Sequence, residues 1–594
     1  MGTRSQQKTT PRIRWGRFDE PQTRADTGRA ITSSHPPESS SSAANLSETS
    51  PLRRGVVQLP YGRSRAASAY WWAINNNGRY RSLRLGDILR LAAQRDPRKT
   101  AIIAEEYRIS FADYDTTANR FAHLLLDAGI QKGDRIATAL FNSPEYGVVH
   151  FGNARSGSVL VHISPMYAGP EIARIVERTR PRVLVIDVAI KDKIAEVRDR
   201  MVSVEKLIVV GRGSDGDFEA AISGFPDTDP DVDIDPDDPV AMTFTGGTTG
   251  EPKGAVVSHN ARYVSAWTTA IEHRVTGEDV TGIVTPMFHA VGLMIWYQST
   301  ILAGCTSVMF RKWDVANFID RTEEHGISSV FMVPVQVRDL IDAPEFDAGR
   351  LQSLKNIGAG GALTPEGLIT DCRAALPHCD YTDHYGQSET GPLTILRPWE
   401  AEAHKGSIGR PATGVDIRIA DKDGNAVPPG TVGELICRGP FLMEGYFEND
   451  DETATYFRNG NGWGWSGDLA ITDEDGFITL VGRSKEMIVS GGINIYPREV
   501  EIVIEDHPAV AECTIFGVPD DRWGEALIAY VVRRVAAANT TEDVLLAHCT
   551  EQLARYKRPR EIVFVSNIPK TPSGKIQKPL IRDAYLAGRK LPKG

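Results

Sequence analysis

Long apolar runs, surplus positive charge and cysteine are all scarce in this 594-residue chain, and each scarcity closes off a class of protein. No stretch approaches the roughly 20 consecutive apolar residues that a membrane-spanning helix requires. Lys and Arg number 67 against 77 Asp and Glu, a net charge of −10, so nothing electrostatic points to nucleic acid as a main partner. The six cysteines (Cys305, Cys372, Cys379, Cys437, Cys513 and Cys549) have no C-x-x-C pairing. They read as buried thiols of a reducing compartment, neither a disulfide frame nor a zinc site, and imply a cytoplasmic protein. A complete dinucleotide fingerprint is also missing. Ile357-Gly358-Ala359-Gly360-Gly361-Ala362-Leu363 begins as G-x-G-x-x-G but ends on leucine, which argues against a nicotinamide oxidoreductase.

What remains is ordinary soluble composition, 41% hydrophobic and 24% charged, at a length that permits more than one domain. Residues 1–75 stand apart, rich in Ser, Thr, Arg and Pro without a sustained apolar period, and are expected to be a disordered tail. Their basic residues suit a targeting peptide, but Asp19, Glu20, Asp26 and the missing apolar core count against one; a mis-assigned start codon would look the same. From Leu83 the pattern is regular. Ser110 is placed to cap a long amphipathic helix that ends near Gly129. Valine- and isoleucine-rich runs at Ile136–Phe141, Val159–Ile163, Val183–Ile186, Leu207–Val210, Gly282–Thr285, Ser307–Phe310 and Val330–Val333 alternate with helical segments. That alternation predicts an α/β domain with largely parallel, buried sheets. Beyond about residue 410 the texture becomes turn-rich β, and from Lys485 a smaller α+β unit follows. There Pro497 opens a helix to about Asp506, strands fall at Val510–Phe516 and Leu527–Val532, and a helix at Glu542–Leu553.

The chain is organised around Thr245-Gly246-Gly247-Thr248-Thr249-Gly250-Glu251-Pro252-Lys253-Gly254, entered by the strand Val240–Phe244 and left by Ala255–Val257, with Asn260 expected to cap the next helix. Glycines let backbone N–H groups wrap phosphate oxygens, the threonines add hydroxyls, and Lys253 adds a fixed cation. The spacing is not Walker A, since no Gly-Lys-Ser/Thr follows. Asp383-His384-Tyr385-Gly386-Gln387-Ser388-Glu389-Thr390 offers a flat ring at Tyr385, a phosphate-bonding hydroxyl at Ser388, and at Glu389 a hard oxygen ligand suited to Mg²⁺. In Trp465-Ser466-Gly467-Asp468-Leu469, Asp468 is a carboxylate able to accept both hydroxyls of a ribose. Further strings are Pro286–Leu293 around His289, Gly482-Arg483-Ser484-Lys485-Glu486, Ser490–Pro497, and Pro569-Lys570-Thr571-Pro572-Ser573-Gly574-Lys575-Ile576.

Together these strings, over roughly residues 85–590, resemble the adenylate-forming (AMP-binding) superfamily of acyl-CoA synthetases, peptide-synthetase adenylation domains and luciferases. The resemblance implies an α/β fold, with a large N-terminal domain of packed sheets and helices (76–483) and a small mobile α+β C-terminal lid (484–594). It assigns ATP or AMP to Thr245, Gly246, Gly247, Thr248, Thr249, Gly250, Lys253, Gly360, His384, Tyr385, Gly386, Gln387, Ser388, Asp468 and Arg483. Lys575 becomes the catalytic lysine, Glu389 the Mg²⁺ ligand, His289 the residue bordering acid and thiol tunnel, Lys485 the hinge, and Gly491, Gly492 and Lys312 contacts for CoA. The segment around Gly358–Gly361 is expected to line the adenine and acyl pockets with bare backbone.

The implied activity is an ATP-dependent acid–thiol ligase taking a fatty, aryl or alicyclic acid through an acyl-adenylate to its CoA thioester. No aspartate in the His289 segment marks an amino-acid substrate. Gly246 stands where the family usually has serine, one hydroxyl fewer in the loop. The alternatives are a ligase loading a carrier protein, a luciferase-like oxygenase and a catalytically silent nucleotide-binding regulator. Oligomeric state is not legible, although a homodimer is compatible.

Overall fold

The computed structural model describes residues 83–588 apart from 106, 212–215, 246–252, 491–492, 535–536, 538 and 571–575. The expected tail, the phosphate-loop residues Gly246, Gly247, Thr248, Thr249 and Gly250, the pair Gly491–Gly492, and Lys575 lie outside the described residues.

Two large sheets carry the site. The first has the strand order Gly445–Tyr446, β2 (Lys253–Ser258), β1 (Pro239–Thr245), Val159–His162, Arg135–Ala139, Val183–Asp187, Lys206–Val210. The second begins at Arg410–Pro411 and Gly391–Leu396. It continues through β6 (Asp380–Gln387), β5 (Asn356–Gly360), β4 (Ser329–Met332) and β3 (Val280–Ile283), and ends on Thr306–Met309, Thr100–Ala104 and Tyr107–Ser110. The central pairings are parallel and the strands are buried on both faces, which is why they read as unbroken aliphatic runs. Antiparallel pairing closes three of the four edges, and the edge strand Lys206–Val210 pairs parallel.

Between the sheets run α1 (His259–Glu272) and, after β3, a π-helix over Val291–Tyr297. Ser110 caps the helix Phe111–Asp127 as expected, accepting from Asp113 N–H at 3.1 Å. Asn260 does not cap α1: helical geometry already begins at His259, and Ser258 accepts from Ala261 N–H at 3.3 Å. The Gly282–Thr285 and Val330–Val333 strands begin one or two residues earlier than the apolar runs suggest, because Val280 and Ser329 already pair in the ladders.

A four-stranded antiparallel sheet follows, Asp416–Ala420, β7 (Gly433–Arg438), β8 (Gly464–Thr472) and β9 (Ile478–Arg483). The small C-terminal domain has its own core around the hairpin Val510–Asp520/Gly524–Arg533, longer than the two apolar runs because the pairing continues almost to the turn. Packed on it are α2 (Pro497–Glu505) and the helix Glu542–Gln552, while α3 (Lys578–Leu586) covers a second small core. The fold is therefore α/β with a separate small C-terminal domain. Among the described residues no helix is long and apolar enough to cross a membrane, and all six cysteines are free and buried.

Candidate active site

The β1–β2 hairpin pairs up to Thr245 and Lys253, the residues that flank the glycine-rich string. Lys253 Nζ lies 2.6 Å from Glu452 Oε2 and 5.5 Å from the ring centre of Tyr446. The hydrogen bond from Lys253 holds the Glu452 carboxyl below the usual range. Tyr446 donates its hydroxyl to Glu389 Oε1 at 2.9 Å, and burial together with that carboxylate pushes the phenol well up. Lys253 and Glu389, 136 positions apart, thus meet through one tyrosine. Neither Tyr446 nor Glu452 was legible in the sequence. They reach the site because the two-residue strand Gly445–Tyr446 pairs with β2, and no local motif marks that pairing.

A second cluster centres on Asp468, whose side chain is buried on β8. Its Oδ2 accepts from the Tyr385 hydroxyl at 2.6 Å and from Gln387 Nε2 at 2.8 Å, and its Oδ1 lies 2.9 Å from Arg483 Nε. Arg483 arrives there because it is Asp468's cross-strand partner on β9. Four of the expected nucleotide residues therefore form one hydrogen-bonded group. Tyr385 presents its edge hydroxyl to the carboxylate, and desolvation with the Asp468 charge pushes its acidity far down.

The ladder register slips between Tyr385 and Gly386. A Cβ on Gly386 would sit 2.0 Å from the Gly391 carbonyl oxygen, so glycine is required at this bulge. The bulge turns the chain into the Ser388–Thr390 turn that carries Ser388 and Glu389.

His289 follows β3 on a short turn whose partners are fixed. Asn142 accepts from Met287 N–H at 2.7 Å and donates to the Thr285 carbonyl at 3.1 Å. The ring of His289 contacts Phe288 at 4.7 Å between centroids. The π-helix begins two residues later, an uncommon element that concentrates at functional sites. Gly292 makes it feasible, since a Cβ there would lie 2.3 Å from the Pro286 carbonyl oxygen.

His384 is placed on the face of β6 opposite Tyr385, as strand alternation requires. Its imidazole stacks on His273 at 5.8 Å and meets Phe331 edge-on at 5.5 Å. Burial depresses both imidazoles, His384 to about 4 and His273 to about 3, so both are neutral. The expected bare backbone at Gly358 and Gly360 is covered. A Cβ on Gly358 would fall 2.5 Å from His273 Cε1 and 2.9 Å from a Phe331 ring carbon, and one on Gly360 would fall 2.4 Å from the His384 carbonyl oxygen.

Lys485 is exposed on the turn after β9. Its neighbours on either side are anchored: Arg483 to Asp468, and Glu486 to Lys578 of α3, whose Nζ lies 3.2 Å from Glu486 Oε2 and 2.9 Å from the buried Glu501 Oε1. Lys312 sits apart on an open cleft of about 870 Å³, beside Arg108, Arg311 and Arg321. Among the described residues no group of three or more His, Cys, Asp or Glu could hold a metal by itself. The single carboxylate of Glu389 nevertheless suits Mg²⁺, which characteristically takes one or two protein carboxylates plus substrate phosphates.

Comparisons with known proteins identify the family. The family model described as "AMP-binding enzyme" matches residues 89–447, and that described as "AMP-binding enzyme C-terminal domain" matches 499–575. Relatives include the fatty acid–[acyl-carrier-protein] ligase ScoC of Streptomyces coeruleorubidus, 33% identical over 83% of this chain and 95% of that protein. The indoleacetate–CoA ligase of Aromatoleum aromaticum is also 33% identical, over 83% of this chain and 96% of its own length. Among solved structures, ATP-bound MatB from Rhodopseudomonas palustris superposes with a TM-score of 0.79 at 28% identity, covering 86% of this chain and all of that one. With a family model over residues 89–447 and relatives 33% identical over 83% of its length, the chain that brings Tyr385, Gln387 and Arg483 onto the buried Asp468 carboxylate belongs to the AMP-binding enzyme family.

Proposed function

We propose that the protein is an AMP-forming acid–CoA ligase whose larger domain spans 76–483 and whose lid spans 484–594. In the first half-reaction a carboxylate oxygen attacks the α-phosphorus of ATP, the bond to the β-phosphate bridging oxygen breaks, and pyrophosphate leaves. In the second, the CoA sulfur attacks the acyl carbon, a thioester forms, and AMP departs with the former carboxylate oxygen. The observation that carries the reading is the convergence of two clusters, Asp468 with Tyr385, Gln387 and Arg483, and Lys253 with Tyr446 and Glu389.

Asp468 would accept the ribose hydroxyls, its carboxylate held in position by the pairing with Arg483 at 2.9 Å. Lys253 would exchange Glu452 for the β- and γ-phosphates, joined by the backbone of Gly246–Gly250 and the hydroxyls of Thr245, Thr248 and Thr249, while Ser388 would bond a phosphate oxygen. Glu389 would hold Mg²⁺, which supplies charge neutralisation on the phosphates. Lys575 would bridge carboxylate and α-phosphate. Displacement of this kind is accelerated chiefly by positioning and by opposing charge. Lys485, the exposed residue between two anchored ones, is the pivot on which the lid would turn, bringing Gly491 and Gly492 toward the thiol path beside His289. A cytoplasmic setting accords with six unpaired, buried thiols.

A second acceptor, a carrier protein's pantetheine thiol, is favoured by one observation, the 33% identity to a relative named as a fatty acid–[acyl-carrier-protein] ligase. Pyrophosphate release with a panel of acids, each with and without CoA, tests the first reading and separates the second. CoA-dependent formation of AMP and thioester is expected. Pyrophosphate without thioester transfers the reading to a carrier acceptor, and silence with every acid refutes adenylation itself. Lys575→Ala is expected to lower acyl-adenylate formation by more than ~100-fold, equivalent to about 3 kcal/mol of lost transition-state stabilisation.

A further inference from the structure

The carboxylate bonded to Lys253 belongs to none of the strings that mark the nucleotide site. Glu452 lies in the first turn of the short helix Asp450–Tyr456, and backbone tied to one sheet edge carries both ends of the contact. Lys253 stands in the β1–β2 ladder opposite Thr245. Tyr446 pairs with Ala255 of β2, and the Phe447 N–H donates to the Gly254 carbonyl at 2.8 Å. The helix is fastened to that edge in turn. Thr453 Oγ1 accepts from the Tyr446 N–H at 2.9 Å, and Asn449 Oδ1 accepts from the Glu452 N–H at 3.2 Å.

Two hydrogen-bonded elements therefore set Glu452 against Lys253. Oε2 and Nζ are 2.6 Å apart, and the side chains are 28% and 13% exposed. The hydrogen bond from Lys253, helped by the positive charge of Lys485, keeps the Glu452 carboxyl below its usual range, so it is an anion at neutral pH.

An anionic side chain on a lysine that receives phosphate oxygens opposes those oxygens twice. It must be displaced before they reach Nζ, and wherever it stays nearby it repels them. Both effects weaken the binding of ATP and of pyrophosphate. Neither acts on AMP, which has no β- or γ-phosphate.

We propose that Glu452 is an internal competitor for the pyrophosphate subsite: it occupies Lys253 when the subsite is empty, lowers the affinity for ATP and pyrophosphate alike, and so favours the departure of pyrophosphate after adenylation. The inference rests on the reading of Lys253 as the lysine of the β- and γ-phosphates. A surface ion pair contributes less than about fivefold to an equilibrium, and a charge-assisted hydrogen bond sheltered from water about tenfold or more. The partly sheltered Glu452–Lys253 pair falls between them. A pair that only fastened the helix to the sheet would, on removal, lower stability and leave anion affinity where it was.

The test is calorimetric titration of the full chain with inorganic pyrophosphate, ATP and AMP, in Mg²⁺ buffer without an acid substrate. Glu452→Gln keeps the shape of the side chain and removes its charge. Its dissociation constants for pyrophosphate and ATP should be about 3- to 10-fold lower than those of wild type, with that for AMP within twofold. Glu452→Ala should shift in the same direction, which keeps the test decisive if the glutamine variant does not fold. Lys253→Met should weaken pyrophosphate and ATP about tenfold or more, and in that background Glu452→Gln should have no further effect. If Lys253→Met leaves both affinities unchanged, the phosphate reading of Lys253 fails and the inference with it. If Lys253→Met weakens both but neither Glu452 variant tightens pyrophosphate binding, the inference alone is overturned. A gain shared equally by AMP overturns it too, as a general effect of the lost charge.

Discussion

Replacing Asp468 by asparagine removes one charge from the residue on which the proposed nucleotide site converges. The side chain is only 6% exposed, and its two oxygens serve Tyr385, Gln387 and Arg483 at 2.6, 2.8 and 2.9 Å. Asparagine keeps the shape but offers one acceptor oxygen, and its amide must face a group that is itself a donor. If the carboxylate also receives the ribose hydroxyls, the variant loses a charge-assisted hydrogen bond, worth about 1.5–3 kcal/mol. At 1.4 kcal/mol per decade, that is about a 10- to 150-fold rise in the dissociation constant of AMP and a comparable rise in KM for ATP. Calorimetric titration with AMP measures the first, and pyrophosphate release at varied ATP measures the second. Arg483→Gln should cost less, because that side chain is 47% exposed and its pairing with Asp468 competes with water. A natively folded Asp468→Asn variant whose AMP affinity stays within twofold of wild type would refute the assignment.

Three further outcomes follow from the packing. Lys578→Met leaves Glu501, itself only 7% exposed, buried without its closest cation, and should destabilise the C-terminal domain by about 3–5 kcal/mol in urea denaturation. Adding Glu501→Gln should recover part of that loss, and a single variant within about 1 kcal/mol of wild type would show the pair to be dispensable. His150, His259 and His273 are held by burial at about 3 and His384 at about 4. Between those values and the ordinary 6.5 the unfolded chain binds more protons, so stability should fall as pH drops below about 6.5, by about 1.4 kcal/mol per histidine per pH unit. A melting temperature flat from pH 7 to 5 would contradict this. Gly292→Ala forces a methyl to within 2.3 Å of the Pro286 carbonyl oxygen and should cost at least about 1–3 kcal/mol while displacing His289. Unchanged kcat and melting temperature would mean that the π-helix relaxes freely.

The sequence by itself determined the fold class and most of the candidate chemistry, because both are written locally. Buried parallel strands are aliphatic runs on both faces, and a glycine loop followed by lysine or a Ser-Gly-Asp turn carries its meaning within ten residues. Ser110 was legible as a cap for the same reason, whereas Asn260 was misplaced because Ser258, two residues earlier, competes for the same role.

What tertiary structure alone decided is which distant residues meet. Tyr446 joins Lys253 to Glu389 only because a two-residue strand pairs with β2, and Glu452 pairs with the same lysine. Asp468 finds Tyr385 across 83 positions, and the glycines of β5, which as a string promise open backbone, are covered by the rings of His273 and Phe331 and the backbone of His384, from three other segments. A missing side chain leaves space in a sequence. Whether that space stays empty depends on which side chains the packing of two sheets brings over it, and a close-packed interior fills nearly all of it.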